Sequence, residues 1–509
     1  MDSAKRTPLQ ICKLLFKIVN KAFKAEVFCI IQNEEKSAGS AVISSHCESS
    51  QDPGTMKEND KRKDSVLTAL RWINESLCTM LKGFEPCDQA GVDKVLSDFY
   101  MARFLEDQER QIREKENQLS NDPVPEPSPP TVAPKDKKSS DKGKKGNNTE
   151  KPIPPAEPLV PVLPGSMAIG SVSLAVAKTA ARLEGLPLYR HIKALKDQQM
   201  VLGFGEIDVP LPMVTLLSCG KASPGKLNLM EEVIVIPKGG QTVKQFFAMV
   251  LELQREMTRI MNAASKTGTV LSAVSDSGAL VIGYDRPEQP FDLLTEASNN
   301  IGIVFGDVMY LAINCAAHNL MDYQKGKYDA ITGAPKSPDE LVDMYELLTR
   351  KYPGLIALID PLRKEDQEQW ERLNSVLGQT HLLSEVVSKP RDSHSTEDVP
   401  TLPWVRGFVL KQTNQTTVTD LIEITRQLEG AVTIVGTTDG EPCDDSLSDL
   451  AVGLGVKFVK LGGLCRGERL TKYNRLISIE EELAQQGILG SKKHGFPFTV
   501  EEREEQTST

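Results

Sequence analysis

The chain has 509 residues, of which 39% are hydrophobic and 26% charged, and its formal net charge is -10. The length exceeds one ordinary domain, the composition is typical of a folded globular protein, and the negative charge argues against a nucleic-acid partner. No apolar run is long enough to span a bilayer and no secretory signal peptide opens the sequence, so we expect a cytoplasmic protein. Nine scattered cysteines, without a C-x-x-C pair, favour buried thiols over disulfides or a zinc site.

The first predicted element is an amphipathic helix within residues 1–24. Apolar residues recur there at helical spacing, and lysines lie between them: Ile11, Leu14, Leu15, Ile18, Val19 and Phe23. Such a stripe indicates a helix that packs on its own domain, and the alternative is a helix that binds a membrane surface or a partner.

Residues 25–105 and 165–205 are predicted to form one α+β domain that an insertion interrupts. β-type runs at 26–32 and 41–44, with a turn around 34–39 between them, indicate a hairpin. Helical patterns follow at 66–78, 90–102 and 168–183.

The insertion comprises residues 106–164, which are rich in charge, proline and lysine. Such a composition buries too little apolar surface to offset the entropy lost on ordering, so we predict a disordered segment. It is either a solvated spacer or a docking segment.

Short apolar runs alternate with helical segments through residues 206–490, and a tail follows at 491–509. The runs lie at 214–217, 233–236, 270–274, 311–313, 355–359, 382–387, 408–411, 432–435 and 458–460. This alternation predicts a β/α barrel. Its active site should lie at the C-terminal ends of the strands, so polar residues just past each run are the candidates for chemistry.

One stretch carries a resemblance to a known family. Residues 460–483, KLGGLCRGERLTKYNRLISIEEEL, place a lysine at the end of a β-type run, before a glycine-rich turn and a helix. The string closely resembles the C-terminal strand, turn and helix of the enolases. The string GSVSLAVAKTAARLEGLPLYRHI resembles the helix that closes their N-terminal domain.

The resemblance implies an enolase-type β/α barrel preceded by an α+β capping domain, in a divergent paralogue. It also implies dehydration of 2-phospho-D-glycerate to phosphoenolpyruvate in glycolysis, with Mg2+ as cofactor. A phosphorylated small molecule is then the expected substrate, and the expected assembly is a homodimer or a heterodimer with another enolase chain.

The register of the enolase strings assigns roles to residues kept in this sequence. Lys411, in FVLKQTNQTTVTD, takes the position of the catalytic base, and Lys460 takes that of the second active-site lysine. Glu232, in LMEEVIVIP, takes the position of the acidic residue that transfers a proton and contacts the substrate. The resemblance also implies that Lys460 and Glu385 bind the substrate. Each lysine alone could be a solvated residue at a strand end. Two matches in register favour the active site.

The same register places Asn314, Ile359 and Glu385 at the three positions of the metal-binding carboxylates. Asn314 offers an amide oxygen, Ile359 offers no ligand and Glu385 keeps a carboxylate, so any Mg2+ would rely on Glu385 and Asn314. Asp360 follows Ile359, but adjacent strand residues face opposite sides, so Asp360 is not expected to substitute for it.

Further enolase positions are substituted. The general-acid glutamate falls on Ser277, the loop histidine near Ser223, a His-Arg pair on Thr437 and Thr438, and the serine of the mobile loop on Cys47.

Two hypotheses remain open. The chain is either a weak dehydratase with Lys411 as base and Glu232 as proton donor to the leaving hydroxyl, or a non-catalytic enolase-fold subunit kept for assembly. The substituted positions favour the second hypothesis. A racemisation within the same superfamily is disfavoured, since the strings match enolases proper.

Overall fold

The structure is a computed structural model, and it describes residues 10–19, 22–31, 34–43, 56–121, 162–198, 205–264, 273–385, 403–438 and 440–490. Cys47, most of the predicted insertion and the predicted tail lie outside these ranges.

The described chain begins with a three-stranded antiparallel sheet: β1 (Ile11–Val19), β2 (Ala22–Ile31) and β3 (Glu34–Ala41). β1 pairs with β2 from Ile11 opposite Cys29 to Val19 opposite Ala22. The amphipathic helix predicted within residues 1–24 is therefore wrong, because the described part of that segment is strand. Its apolar residues satisfy both periodicities, and the isoleucines and valine favour a strand once β2 supplies a partner.

The predicted hairpin is present, but the residues predicted as its turn are strand. Residues 34–39, predicted as the turn, belong to β3, whose Ala41 lies opposite Ala25 of β2. The glutamates and lysine at the start of β3 are exposed, and such a polar run is compatible with a turn or with an exposed strand.

Helices complete the capping domain: α1 (Met56–Arg71), a π-helical segment (Trp72–Leu77), α2 (Cys78–Met80), α3 (Gln89–Asn121), α4 (Met167–Glu184) and α5 (Leu188–Asp197). α3 continues through the first part of the predicted insertion, so the prediction of disorder is wrong for 106–121. Opposite charges three or four residues apart support this stretch, as between Arg113 and Glu109 at 3.3 Å.

The remaining strands are β4 (Leu211–Ser218), β5 (Glu232–Pro237), β6 (Ala273–Val274), β7 (Leu280–Val281), β8 (Met309–Asn314), β9 (Met321–Asp322), β10 (Lys327–Tyr328), β11 (Leu355–Ile359), β12 (His381–Glu385), β13 (Gly407–Lys411), β14 (Val432–Gly436) and β15 (Phe458–Gly462). The helices between and after them are α6 (Val243–Ala264), α7 (Gln289–Asn300), α8 (Pro338–Lys351), α9 (Gln367–Val376), α10 (Val418–Gln427), α11 (Ser446–Leu454) and α12 (Gly467–Gln485), with a 3-10 helix at Ala317–Leu320.

A closed barrel is formed by the eight strands β4, β5, β8, β11, β12, β13, β14 and β15, and β15 pairs back onto β4. β5 runs antiparallel to both of its neighbours, β4 and β8, whereas the other pairs are parallel. The predicted β/α barrel is confirmed. The run predicted at 270–274 is not a barrel strand, because its described residues form β6, which pairs only with β7.

Apolar side chains fill the barrel interior. Met213, Ile234, Ile359 and Phe458 belong to this interior cluster, while a second, larger cluster packs the outside of the strands against the helices. Within the ranges given above, no helix combines the length and the apolar content needed to cross a lipid bilayer.

Candidate active site

The reversed direction of β5 brings Glu232 to the C-terminal end of the barrel. Glu232 is the first residue of β5, and it lies opposite Ser218 at the end of β4 and Asn314 at the end of β8. Asn314 in turn lies opposite Ile359, the last residue of β11. The rule that chemistry follows the end of each strand therefore misses Glu232, although the enolase strings identified it.

Both predicted lysines lie at the same end of the barrel. Lys411 ends β13 and lies opposite Gly436 of β14, which lies opposite Lys460 of β15. Glu385 ends the neighbouring strand β12. The structure thus brings together Lys411, Lys460, Glu232, Glu385 and Asn314.

Lys460 and Glu232 form a buried ion pair. Asn314 Nδ2 donates to Glu232 Oε2 at 2.9 Å, and Thr215 Oγ1 donates to Glu232 Oε1 at 3.1 Å. Burial raises the pKa of Glu232, but the charge of Lys460 and these hydrogen bonds outweigh it and hold the pKa below its ordinary value. Thr215 was not predicted as a site residue from the sequence. A polar residue within an apolar strand run was the available signal.

Lys411 and Glu385 form a second ion pair that is more open to solvent, with 18% and 29% of the two side chains exposed. Asp360 supports Glu385 from the adjacent strand end. Its carboxylate accepts from Ser384 Oγ at 2.8 Å and from the Glu385 backbone nitrogen at 3.2 Å. Burial, and then the charge of Glu385, raises the pKa of Asp360. Asp360 thus fixes β12 and does not take the place of Ile359.

The side chains at this end do not fit Mg2+, the cofactor that enolases generally use. Ile359 is 1% exposed within the barrel interior, and the amide of Asn314 donates to Glu232. Glu232 and Glu385 each pair with a lysine. Among the residues that the structure describes, no three His, Cys, Asp or Glu side chains are grouped to hold a metal. Mg2+ requires near-octahedral oxygen ligands, and these positions supply too few of them.

Arg469, in α12 after β15, donates hydrogen bonds at or beside three of the substituted positions. It is 2% exposed, and it donates from Nη1 to Thr437 Oγ1 at 2.5 Å and from Nη2 to the carbonyl oxygen of Thr438 at 3.0 Å. Nη2 also donates to the carbonyl oxygen of Asp276 at 3.0 Å, beside Ser277. Arg469, which sequence reasoning missed, thus joins the loop after β14 to the turn that contains Ser277.

Ser223 lies in the segment after β4. Its Oγ donates to the carbonyl oxygen of Ser218 at 3.0 Å, so its hydroxyl supports the local turn. The position expected to carry a loop histidine therefore offers a short side chain bound to the backbone.

The fold and this arrangement define a β/α-barrel protein with an α+β capping domain and lysine–carboxylate pairs at the C-terminal end of the barrel. The family model described as Enolase, C-terminal TIM barrel domain, matches residues 206–496. The chain belongs to the enolase family.

Relatives named Enolase 4 match most of its length. The protein from Danio rerio is 48% identical over 94% of this chain and 83% of its own length. The protein from Xenopus laevis is 46% identical over 93% of this chain and 83% of its own length. The protein from Homo sapiens is 44% identical over 98% of this chain and 84% of its own length.

Proposed function

We propose that this chain binds 2-phospho-D-glycerate at the C-terminal end of its barrel and dehydrates it to phosphoenolpyruvate far more slowly than an enolase with three metal-binding carboxylates. The convergence of Lys411 and Lys460 with Glu232 and Glu385 at one end of the barrel carries the proposal. The name of the relatives, Enolase 4, supports it.

An anionic substrate would compete with Glu232 and Glu385 for the two ammonium groups. Lys460, drawn toward the substrate, would stabilise its negative charge. Lys411 Nζ must leave Glu385 and give its own proton to solvent, which reaches both side chains, before it can accept the proton next to the substrate carboxylate. The electrons of that C–H bond then form the carbon–carbon double bond. Glu232 is ionised while it pairs with Lys460, so it must first take up a proton from solvent once Lys460 has turned to the substrate, and it then gives that proton to the hydroxyl, which leaves as water.

The substituted positions explain why the rate should be low. Thr437 and Thr438 carry no positive charge, and Ser277 is no general acid. Each lost group that stabilises the transition state typically costs about 100-fold to 1,000-fold in rate. Several such losses leave slow turnover as the expected result.

The test is phosphoenolpyruvate formation by the purified full chain, with Lys411→Ala and Lys244→Ala prepared identically. Lys244 is a matched control because its side chain is 76% exposed, away from the candidate site. We expect slow turnover that Lys411→Ala abolishes and Lys244→Ala keeps. Equal turnover of Lys411→Ala and the wild type, or no wild-type turnover above the blank, would contradict the proposal.

A second candidate function is a non-catalytic cytoplasmic subunit kept for assembly. The observation that favours it is Ile359, an apolar residue of the barrel interior at a position where the enolase register calls for a carboxylate. Such a subunit would form a homodimer or pair with another enolase chain. Light scattering after gel filtration, alone and after mixing with a catalytically active enolase, tests this, and a monomer in both samples contradicts it.

A further inference from the structure

The loop that follows Lys411 is held by the capping domain. The backbone nitrogen of Gly170, in α4, donates to the carbonyl oxygen of Asn414 at 3.0 Å. A Cβ atom at Gly170 would lie 2.7 Å from the Asn414 oxygen and 2.8 Å from the Thr416 oxygen. The helix and the loop therefore approach more closely than any side chain at residue 170 would allow.

The helix after this loop, α10, has its N-terminus capped by both domains. Thr417 Oγ1 accepts from the Asp420 nitrogen at 3.1 Å within the barrel domain. Ser173 Oγ, from α4, accepts from the Val418 nitrogen at 2.9 Å. The first amides of a helix lack partners within the helix, so the capping domain satisfies groups that would otherwise be orphaned.

Asp93, in α3, adds a carboxylate to this helix end. Its Oδ2 accepts from the Thr419 nitrogen at 3.0 Å and from Thr419 Oγ1 at 2.7 Å. A carboxylate is favoured at a helix N-terminus because the amide dipoles point their positive ends toward it.

Asp93 is itself held rigidly in place. Gln89 Nε2 donates to Asp93 Oδ1 at 2.9 Å and to the Ser173 carbonyl oxygen at 3.1 Å. Asp93 is 1% exposed, and this burial raises its pKa to about 6 although its hydrogen bonds lower it. A carboxylate buried at this cost, with both oxygens engaged, indicates a specific contact between α3 and α10.

We propose that Asp93 is a positioning residue for Lys411, because its contact with Thr419 fixes the start of α10 and, with Gly170, the loop that joins α10 to β13. The inference rests on the proposed function for the role of Lys411. The contact itself can be tested without catalysis.

The test is hydrogen–deuterium exchange of the 412–420 amides in the full chain carrying Asp93→Ala or Asp93→Asn. Asp93→Ala leaves the amide and hydroxyl of Thr419 without their acceptor, so we expect their segment to exchange about tenfold faster. Asp93→Asn keeps one acceptor oxygen for Thr419, and its amide nitrogen can donate to the unpartnered Gln89 Oε1 once the Gln89 amide turns over, so 412–420 should exchange more slowly than in Asp93→Ala. The control segment is α8, which packs on β11 and α9 and should be unaffected.

Unchanged exchange at 412–420 in Asp93→Ala overturns the proposal, as does an equal rise in 412–420 and α8, which indicates general loosening. If Asp93→Ala does not fold, Thr419→Val removes the hydroxyl donor alone. We then expect about threefold faster exchange confined to 412–420, and no local change overturns the proposal.

Measurement of turnover tests whether Asp93 acts on Lys411. Where the wild type forms phosphoenolpyruvate, Asp93→Ala should lower kcat about tenfold at unchanged KM, and Asp93→Asn should restore it. Faster local exchange with unchanged kcat overturns the positioning role. If the wild type forms no phosphoenolpyruvate, the proposed function fails while the exchange data still decide the contact between Asp93 and Thr419.

Discussion

The C-terminal end of the barrel has two unlike halves. β13 and β15 carry Lys411 and Lys460 and form the cation half, whereas β8 and β11 end in Asn314 and Ile359 and form the anion-poor half. The first half keeps the cations of the enolase register and the second lacks its anions. Of the carboxylates that the enolase register places here, Glu232 and Glu385 remain, and each pairs with one lysine, so these four charges cancel. A divalent cation placed here would add two positive charges that these paired carboxylates do not balance. The loss of metal ligands on one half therefore agrees with the pairing of each lysine to a carboxylate, because both leave this end of the barrel without a place for a further positive charge.

The largest expected effect comes from Lys460→Met, which breaks the pair within the cation half. Glu232 would stay 7% exposed with its charge unpaired, and breaking a buried pair costs about 3 to 5 kcal/mol. We expect the free energy of unfolding in urea to fall by about 3 kcal/mol, since Asn314 and Thr215 still donate to Glu232. The double variant Lys460→Met/Glu232→Gln should recover most of the loss. A single variant as stable as the wild type would show that the pair contributes nothing.

The cation half is also the half that the capping domain contacts through Asp93. Titration of Asp93 makes the free energy of unfolding depend on pH. The pKa of Asp93 is about 6 in the fold, raised by burial from 3.8. The folded state therefore binds more protons than the unfolded state between these values, so acidification through this window stabilises the wild type. The gain relative to Asp93→Asn amounts to at most about 3 kcal/mol.

Urea unfolding of the wild type and of Asp93→Asn, near pH 7.5 and near pH 5, measures this gain. We expect the stability of the wild type relative to Asp93→Asn to be greater near pH 5 than near pH 7.5. A difference between the two proteins that stays constant with pH would show that Asp93 does not titrate in this window.

The anion-poor half can be tested by restoring its charge. Asn314→Asp replaces an amide that donates to Glu232 with a second carboxylate, so we expect a loss of about 2 kcal/mol in the free energy of unfolding without metal. Asn314→Asp/Ile359→Glu supplies both missing carboxylates. Mg2+ should stabilise this double variant against heat and leave the wild type unchanged. Equal stabilisation of the wild type would mean that the native side chains already bind the metal.

The sequence predicted the barrel well because buried strands in parallel sheets read as short apolar runs separated by helical patterns. It failed at β1, where the same apolar residues fit a helix or a strand and the pairing with β2 decides. It also failed at β6, an apolar run that has β7 rather than a barrel strand as its partner. Both errors arise because the neighbouring strand along the chain decides the pairing, and the periodicity of a single segment does not record its partner.

The candidate site was predictable only where a string could be matched. Lys411, Lys460 and Glu232 follow from the enolase strings, but nothing local indicates that β5 is reversed and carries Glu232 to the same end. Arg469 and Thr215 act through partners far along the chain, so their roles emerge only from the fold. The catalytic and metal roles of the matched residues stay predictions.

The smallest expected effect distinguishes the two ion pairs. Glu385→Gln removes the partner of Lys411, but both side chains of this pair reach solvent, so water and salt replace most of the lost attraction. We expect the free energy of unfolding to fall by less than about 1 kcal/mol, and by less still at high salt. The buried pair of Lys460 should show little dependence on salt, because ions do not reach it. A loss for Glu385→Gln as large as that for Lys460→Met would mean that burial does not separate the two pairs. The cation half would then act as one coupled network of charges.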